Sequence, residues 1–117
     1  MTYDIKYHPD VYSDLKSLDK GLRKKVLKKI GQLAEKPLLG QLLGNKAGID
    51  LTGYRKLYVD KRRIRIVYTV EEELLCVMLV AVGRRENLEI YRIAGKRLQE
   101  ISRNIDNDNS TSDKREP

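Results

Sequence analysis

Lys56, Tyr58, Arg63, Arg65, Arg85 and Tyr91 are the residues whose types and spacing allow chemistry. All are cations or phenols, and the strands, turn and final helix that carry them could bring them onto one face or its rim. An RNA phosphodiester can be cut by its own 2′-hydroxyl. That cut needs a base for the hydroxyl proton, cations for the crowded phosphorane and an acid for the leaving 5′-oxygen. Lysine and tyrosine are ordinarily too basic for the first role at neutral pH. Neighbouring cations repel the lysine proton and stabilise a phenolate, which gives Lys56 or Tyr91 a route to it. Arg65 and Arg85 suit two-pronged phosphate contact, and tyrosine faces can stack on bases.

Other chemistries are excluded by what the chain lacks. His8 is the sole histidine, so neither a paired-histidine ribonuclease nor a Ser/His/Asp triad on this face is available. Asp60, Glu86 and Glu89 lack ligand spacing with histidine or cysteine, so no metal and no cofactor are expected. Gly40, Gly44 and Gly48 mimic a phosphate loop, but no GK[ST] ending and no preceding strand accompany them. His8 before Pro9 reads as turn chemistry.

The chain of 117 residues carries a net charge of +7. Residues 104–117 hold four acids against two bases, so residues 1–103 carry +9, an excess that favours an anionic partner. Cys76 stands alone and forbids an internal disulfide, which fits a reducing cytosol. No apolar run follows a basic start, and no stretch approaches the roughly 20 apolar residues of a membrane span. A cytoplasmic protein without membrane contact is the expectation.

These side chains need a scaffold. Thr2 to Tyr7 alternates as a first strand, and His8-Pro9-Asp10 turns the chain. Val11, Leu15 and Leu18 mark a short helix ending near Asp19, which caps a second one. Leu22, Val26, Ile30 and Leu33 form that helix's apolar stripe, with Arg23, Lys24, Lys25, Lys28 and Lys29 outside it, until Pro37. Leu38 to Thr52 shows no periodicity and reads as a loop or pair of turns.

Three strands follow, over Tyr54–Asp60, Arg63–Val70 and Leu74–Val82, joined by connections short enough for antiparallel hairpins. Leu57 and Val59 point one way while Tyr54, Lys56 and Tyr58 point the other; Ile64, Ile66 and Tyr68 separate likewise from Arg63 and Arg65. Leu88 to Ile101 is a final helix whose apolar stripe includes Tyr91, so packing is an equal reading of that tyrosine. The order β-α-α-β-β-β-α predicts an α+β domain over residues 1–103. Two N-terminal helices pack on one face of a small, mostly antiparallel four-stranded sheet, the other face is cationic, and the C-terminal helix sits at the edge. Residues 104–117 are expected to be a disordered polar tail.

Taken together, Leu51-x-Gly53-Tyr54-Arg55-Lys56-Leu57-Tyr58-Val59, Arg63-Ile64-Arg65-Ile66-Val67-Tyr68, Val82-Gly83-Arg84-Arg85-Glu86 and Glu89-Ile90-Tyr91 resemble the RelE branch of the RelE/ParE toxins. The resemblance runs from Tyr3 to about Leu98. It implies a toxin of a toxin–antitoxin module that enters the ribosomal A site and cleaves mRNA, leaving a 2′,3′-cyclic phosphate and a 5′-hydroxyl. It also implies a cognate antitoxin as partner and no small-molecule cofactor. Lys56 then occupies a catalytic lysine position and Arg65 that of the phosphate-stabilising arginine. Arg85 is the general acid or second phosphate contact, and Tyr91 orients or deprotonates the 2′-hydroxyl. Tyr58, Arg63, Arg84 and Lys28 are expected to contact RNA. One position departs from the family: its usual pattern has a second lysine two residues after the first, where this chain has Tyr58.

Two other readings compete. A ParE-type inhibitor shares the fold and acts on DNA gyrase without cutting RNA; the Arg85 and Tyr91 pair favours the nuclease, because ParE-type chains generally lack it. A plain nucleic-acid-binding module would bind electrostatically and with steep salt dependence.

Overall fold

A computed structural model describes residues 2–46, 48–84 and 90–100. The chain order is β1 (Asp4–Tyr7), α1 (Val11–Lys16), α2 (Lys20–Glu35), β2 (Gln41–Leu42), β3 (Asn45–Lys46), β4 (Ile49–Asp50), β5 (Tyr54–Val59), β6 (Ile64–Glu71) and β7 (Cys76–Arg84). A final helix, α3, spans residues 90–100. The α+β class expected from the pattern is present.

The two N-terminal helices form where their apolar spacing and end signals agree. Asp19 accepts the Leu22 N–H at 2.8 Å and caps α2, an interaction worth about 1 kcal/mol. Leu22, Val26, Ile30 and Leu33 are the helix's buried residues. Arg23 then closes the corner: its Nε donates to the Leu15 carbonyl at 3.0 Å and its Nη2 to the Leu18 carbonyl at 3.0 Å. The Leu15 carbonyl also accepts the Leu18 N–H at 3.2 Å, so the next helix adds a side-chain donor to carbonyls at the end of α1.

The main sheet has five strands in the order β1-β7-β6-β5-β2. Only β1 and β7 pair in parallel; the other neighbours are antiparallel. One core lies beneath α1 and α2, where Val11, Leu15, Val26, Ile30 and Leu33 meet Leu57, Val59, Ile64, Ile66, Tyr68 and Leu79. A second core lies on the opposite face, where Ile90, Tyr91 and Ala94 of α3 meet Val67, Val80 and Ala81. A register shift between Val67 and Tyr68 makes this division possible. Val67 pairs with Ala81 and Tyr68 with Leu79, leaving Val80 as the extra residue. Leu79 and Val82 therefore enter the first core, while Val80 and Ala81 enter the second.

Two expectations need correction. The final helix lies across the second face of the sheet instead of at its edge, so that face is only partly open. A Cβ on Gly83 would stand 2.9 Å from Ile90 Cδ1, and one on Gly95 would stand 2.7 Å from Ile49 Cγ2, so both glycines set how closely α3 approaches. The 38–52 segment is also more than a loop. β2 pairs with β5 as a fifth strand, Gln41 opposite Lys56 and Leu42 opposite Arg55, and β3 and β4 form a hairpin of their own. Strands of two residues are too short to show a period. Tertiary contacts hold the segment instead: Tyr68 Oη receives the Gly40 N–H at 2.7 Å and donates to the Pro37 carbonyl at 2.9 Å.

Candidate active site

The antiparallel register of β5 and β6 places Tyr58 directly opposite Arg65 and Lys56 opposite Val67. Because Leu57 and Val59 turn into the first core, Lys56 and Tyr58 face the other way, on the side of α3. Arg65 follows the same alternation between Ile64 and Ile66. Its partner on β7 is Gly83, which offers no side chain to compete for the space.

Arg65 is only 6% exposed. Its Cζ stands 4.6 Å from the Tyr91 ring centroid and 5.3 Å from that of Tyr58. Its Nη2 donates to Tyr58 Oη at 3.3 Å. Among the described residues, its Nε and Nη1 have no hydrogen-bond partner. A buried guanidinium with two unused donors is costly unless an anion completes it. The planar fork, sandwiched between two tyrosine rings, is pre-set for a phosphate or carboxylate.

Tyr58 is the hub. Lys56 Nζ donates to its hydroxyl oxygen at 3.1 Å. Lys56 Nζ also lies 5.2 Å from the Tyr58 ring centroid, and Arg62 Cζ lies 5.6 Å from it. The hydrogen bond from Lys56, helped by the bond and charge of Arg65 and opposed by partial burial, pulls the phenol down to about 8 from its ordinary 10.0. The cations stabilise the phenolate over the phenol.

Four of the expected residues thus converge: Lys56, Tyr58, Arg65 and Tyr91. Tyr91 is 3% exposed, so it packs as well as touching Arg65. Arg85 lies outside the described residues. Arg84 is exposed at the end of β7, opposite Ile64. Arg63 is exposed in the β5–β6 turn and pairs with Asp60 at 3.7 Å instead of joining the site. Lys28 lies on α2 beside Lys25, Lys29, Val59 and Asp60, on the helix-covered side of the sheet.

Arg62 is the residue that sequence reasoning missed. Asp60, Lys61 and Arg62 all adopt left-handed backbone, with φ of 56°, 53° and 69°. That turn carries Arg62 toward Tyr58. No glycine or Asn-Gly pair announces it, since non-glycine residues enter this region at a cost.

Among the described residues, His8, Asp10 and Glu100 bring ligand atoms within 4.8 Å of one another. They sit at the end of β1 and the last turn of α3. His8 Nδ1 already accepts the Asp10 N–H at 3.1 Å. A metal on Nε2 would require Nδ1 to hold the proton, which that hydrogen bond forbids. His8 therefore serves the turn.

Comparison with known proteins agrees with this geometry. A family model described as the ParE toxin of type II toxin–antitoxin system, parDE, matches residues 5–89. The chain belongs to the RelE/ParE toxin superfamily. This RelE-like toxin is 30% identical over 101 residues to the mRNA interferase toxin RelE of Escherichia coli strain K12, covering 84% of this chain and 99% of that one. A substituted form of the Escherichia coli toxin RelE, solved in the free state, matches with a TM-score of 0.64 and 26% identity over 83% of this chain and 98% of that one. A chain of the intact Escherichia coli RelBE toxin–antitoxin complex matches in fold, with a TM-score of 0.60 and 22% identity over 73% and 99% of the two chains. Among the described residues of this toxin, no helix is long and apolar enough to cross a membrane.

Proposed function

We propose that this toxin is a ribosome-dependent endoribonuclease that cuts mRNA at A-site codons without a metal ion. The message's 2′-hydroxyl attacks the adjacent phosphorus, the 5′-oxygen leaves, and the products are a 2′,3′-cyclic phosphate and a 5′-hydroxyl. The observation that carries this reading is Arg65, a buried guanidinium whose Nε and Nη1 lack partners among the described residues, in one cluster with Tyr58, Tyr91 and Lys56. A phosphorane offers the equatorial oxygens that such a fork can grip as charge accumulates. The similarity to the mRNA interferase RelE supports the substrate class.

Phenols, an amine and guanidinium groups do not by themselves align a flexible message for in-line attack. Alignment by the ribosome supplies that geometry, and naked RNA should be a poor substrate. The toxin acts in the cytoplasm and is held inactive by a cognate antitoxin, as expected of a relative of the chain seen in the RelBE toxin–antitoxin complex.

Translating ribosomes programmed with a defined message provide the test. Codon-positioned cuts that vanish with Arg65→Ala support the nuclease. Intact message together with stalled DNA supercoiling would instead support a ParE-type gyrase inhibitor, and rapid digestion without ribosomes would remove the need for ribosomal alignment.

A further inference from the structure

We infer that Tyr58 is the catalytic base of this toxin: its phenolate oxygen takes the 2′-hydroxyl proton of the message, and Lys56 and Arg65 hold that oxygen in place. The inference rests on the nuclease reading above and assigns a step within it.

Among the described residues, three groups could move the proton, and their geometry separates them. Lys56 Nζ is already a donor, its hydrogen directed at Tyr58 Oη 3.1 Å away. In its ammonium form this group has three donors and no lone pair to offer a substrate. Tyr91 is 3% exposed and belongs to the second core, with the Arg65 guanidinium 4.6 Å from its ring centroid. Tyr58 is partly exposed and receives hydrogen bonds from both Lys56 and Arg65. Two cationic donors on one phenol oxygen favour its deprotonated form.

Among the described residues, charged and titratable groups around Tyr58 include Lys56 from β5, Arg62 from the β5–β6 turn and Arg65 from β6, with Tyr91 of α3 against Arg65. Their effect agrees with the geometry, since the phenol ionises at about 8. On the order of a tenth of the molecules then hold a phenolate one pH unit lower, at neutral pH.

The step balances without a co-reactant. The 2′-O–H bond breaks and its proton passes to Tyr58 Oη. The freed oxygen forms a bond to phosphorus while the anionic oxygens sit on Arg65 Nε and Nη1. The bond from phosphorus to the 5′-oxygen then breaks, and that oxygen takes a proton from water. Tyr58 returns its proton to water and the cycle closes.

The experiment is single-turnover cleavage on programmed ribosomes between pH 6 and 9, beside a tyrosinate absorbance titration of the toxin alone. The wild-type rate should rise about tenfold per pH unit and level near the ionisation of Tyr58. Tyr58→Phe should lower it by on the order of 100-fold and flatten the rise. With 3-fluorotyrosine in place of Tyr58, the more acidic phenol should move the midpoint to lower pH. Lys56→Met should move it to higher pH while keeping the limb, because Lys56 acts through Tyr58. In the titration, one phenol ionising near pH 8 should disappear in Tyr58→Phe.

A wild-type toxin that cleaves while Tyr58→Phe matches its rate and pH profile overturns the assignment and leaves the nuclease reading intact. So does a Lys56→Met variant whose pH limb vanishes. A wild-type toxin that leaves the message whole at every pH overturns both.

Discussion

Asp14 on α1 and Arg97 on α3 form a two-pronged ion pair, Oδ2 to Nη1 at 2.6 Å and Oδ1 to Nη2 at 3.0 Å. The same pair finishes the sheet. β1 ends at Tyr7 opposite Leu79, so the next stretch of β7, paired with β6 on one side, has no strand on its β1 side. There the Val82 N–H donates to Asp14 Oδ2 at 3.0 Å and Arg97 Nη1 donates to the Val80 carbonyl at 2.9 Å. Two side chains stand in for a strand, and they tie helices on opposite faces of the sheet to one another.

Asp14→Ala should therefore destabilise the fold by about 3 kcal/mol, because it strands a buried guanidinium and the Val82 N–H together. Urea unfolding measures this. Combining it with Arg97→Met should recover much of the loss, since the uncompensated charge is then gone. A double variant as unstable as the single one would show that the pair's packing, not its charge, holds α3.

Arg65→Met should abolish cleavage while leaving stability unchanged or raising it by about 1 kcal/mol. The guanidinium is nearly buried with two unused donors, and a thioether of similar length needs none. Parallel denaturant curves and ribosome assays check both halves. A loss of more than about 2 kcal/mol would mean the guanidinium is a structural support.

Tyr68→Phe should cost about 1–3 kcal/mol. Its hydroxyl joins the Gly40 N–H to the Pro37 carbonyl, and water does not readily replace it at a fully buried ring. Hydrogen exchange at the Gly40 amide should accelerate, and β2 should loosen first.

Lys61→Gly should stabilise the protein by about 0.5–1 kcal/mol. Lys61 holds φ of 53° in an exposed turn, where a side chain is strained and glycine is not. A higher thermal midpoint would confirm the strain, and a lower one would show that glycine's greater unfolded-state entropy outweighs it.

Much of the helical layer was legible because its signals are local. The stripe of Leu22, Val26, Ile30 and Leu33, the Asp19 cap and the stop at Pro37 all lie within a few turns of one helix. The core of the site was legible for the same reason. A strand period of two, carried across a short hairpin, is enough to send Lys56, Tyr58 and Arg65 to a common face.

The remaining features depended on partners distant in sequence. β2 exists because Gly40 meets Tyr68, 28 residues away, and no two-residue strand announces itself. Arg62 faces Tyr58, and Arg63 turns to Asp60, because three residues accept a left-handed turn that their side chains do not advertise. The place of α3 depends on Gly83 and Gly95 leaving room for Ile90 and Ile49.

The amino-acid order by itself determined which residues alternate, which helices have an apolar face and that the chain is rich in cations. Only the folded molecule decided which of those cations surround Tyr58 and which are paired elsewhere. The reason is that periodicity acts over neighbouring residues, whereas the ionisation of a phenol answers to whatever charges the fold brings within a few ångströms.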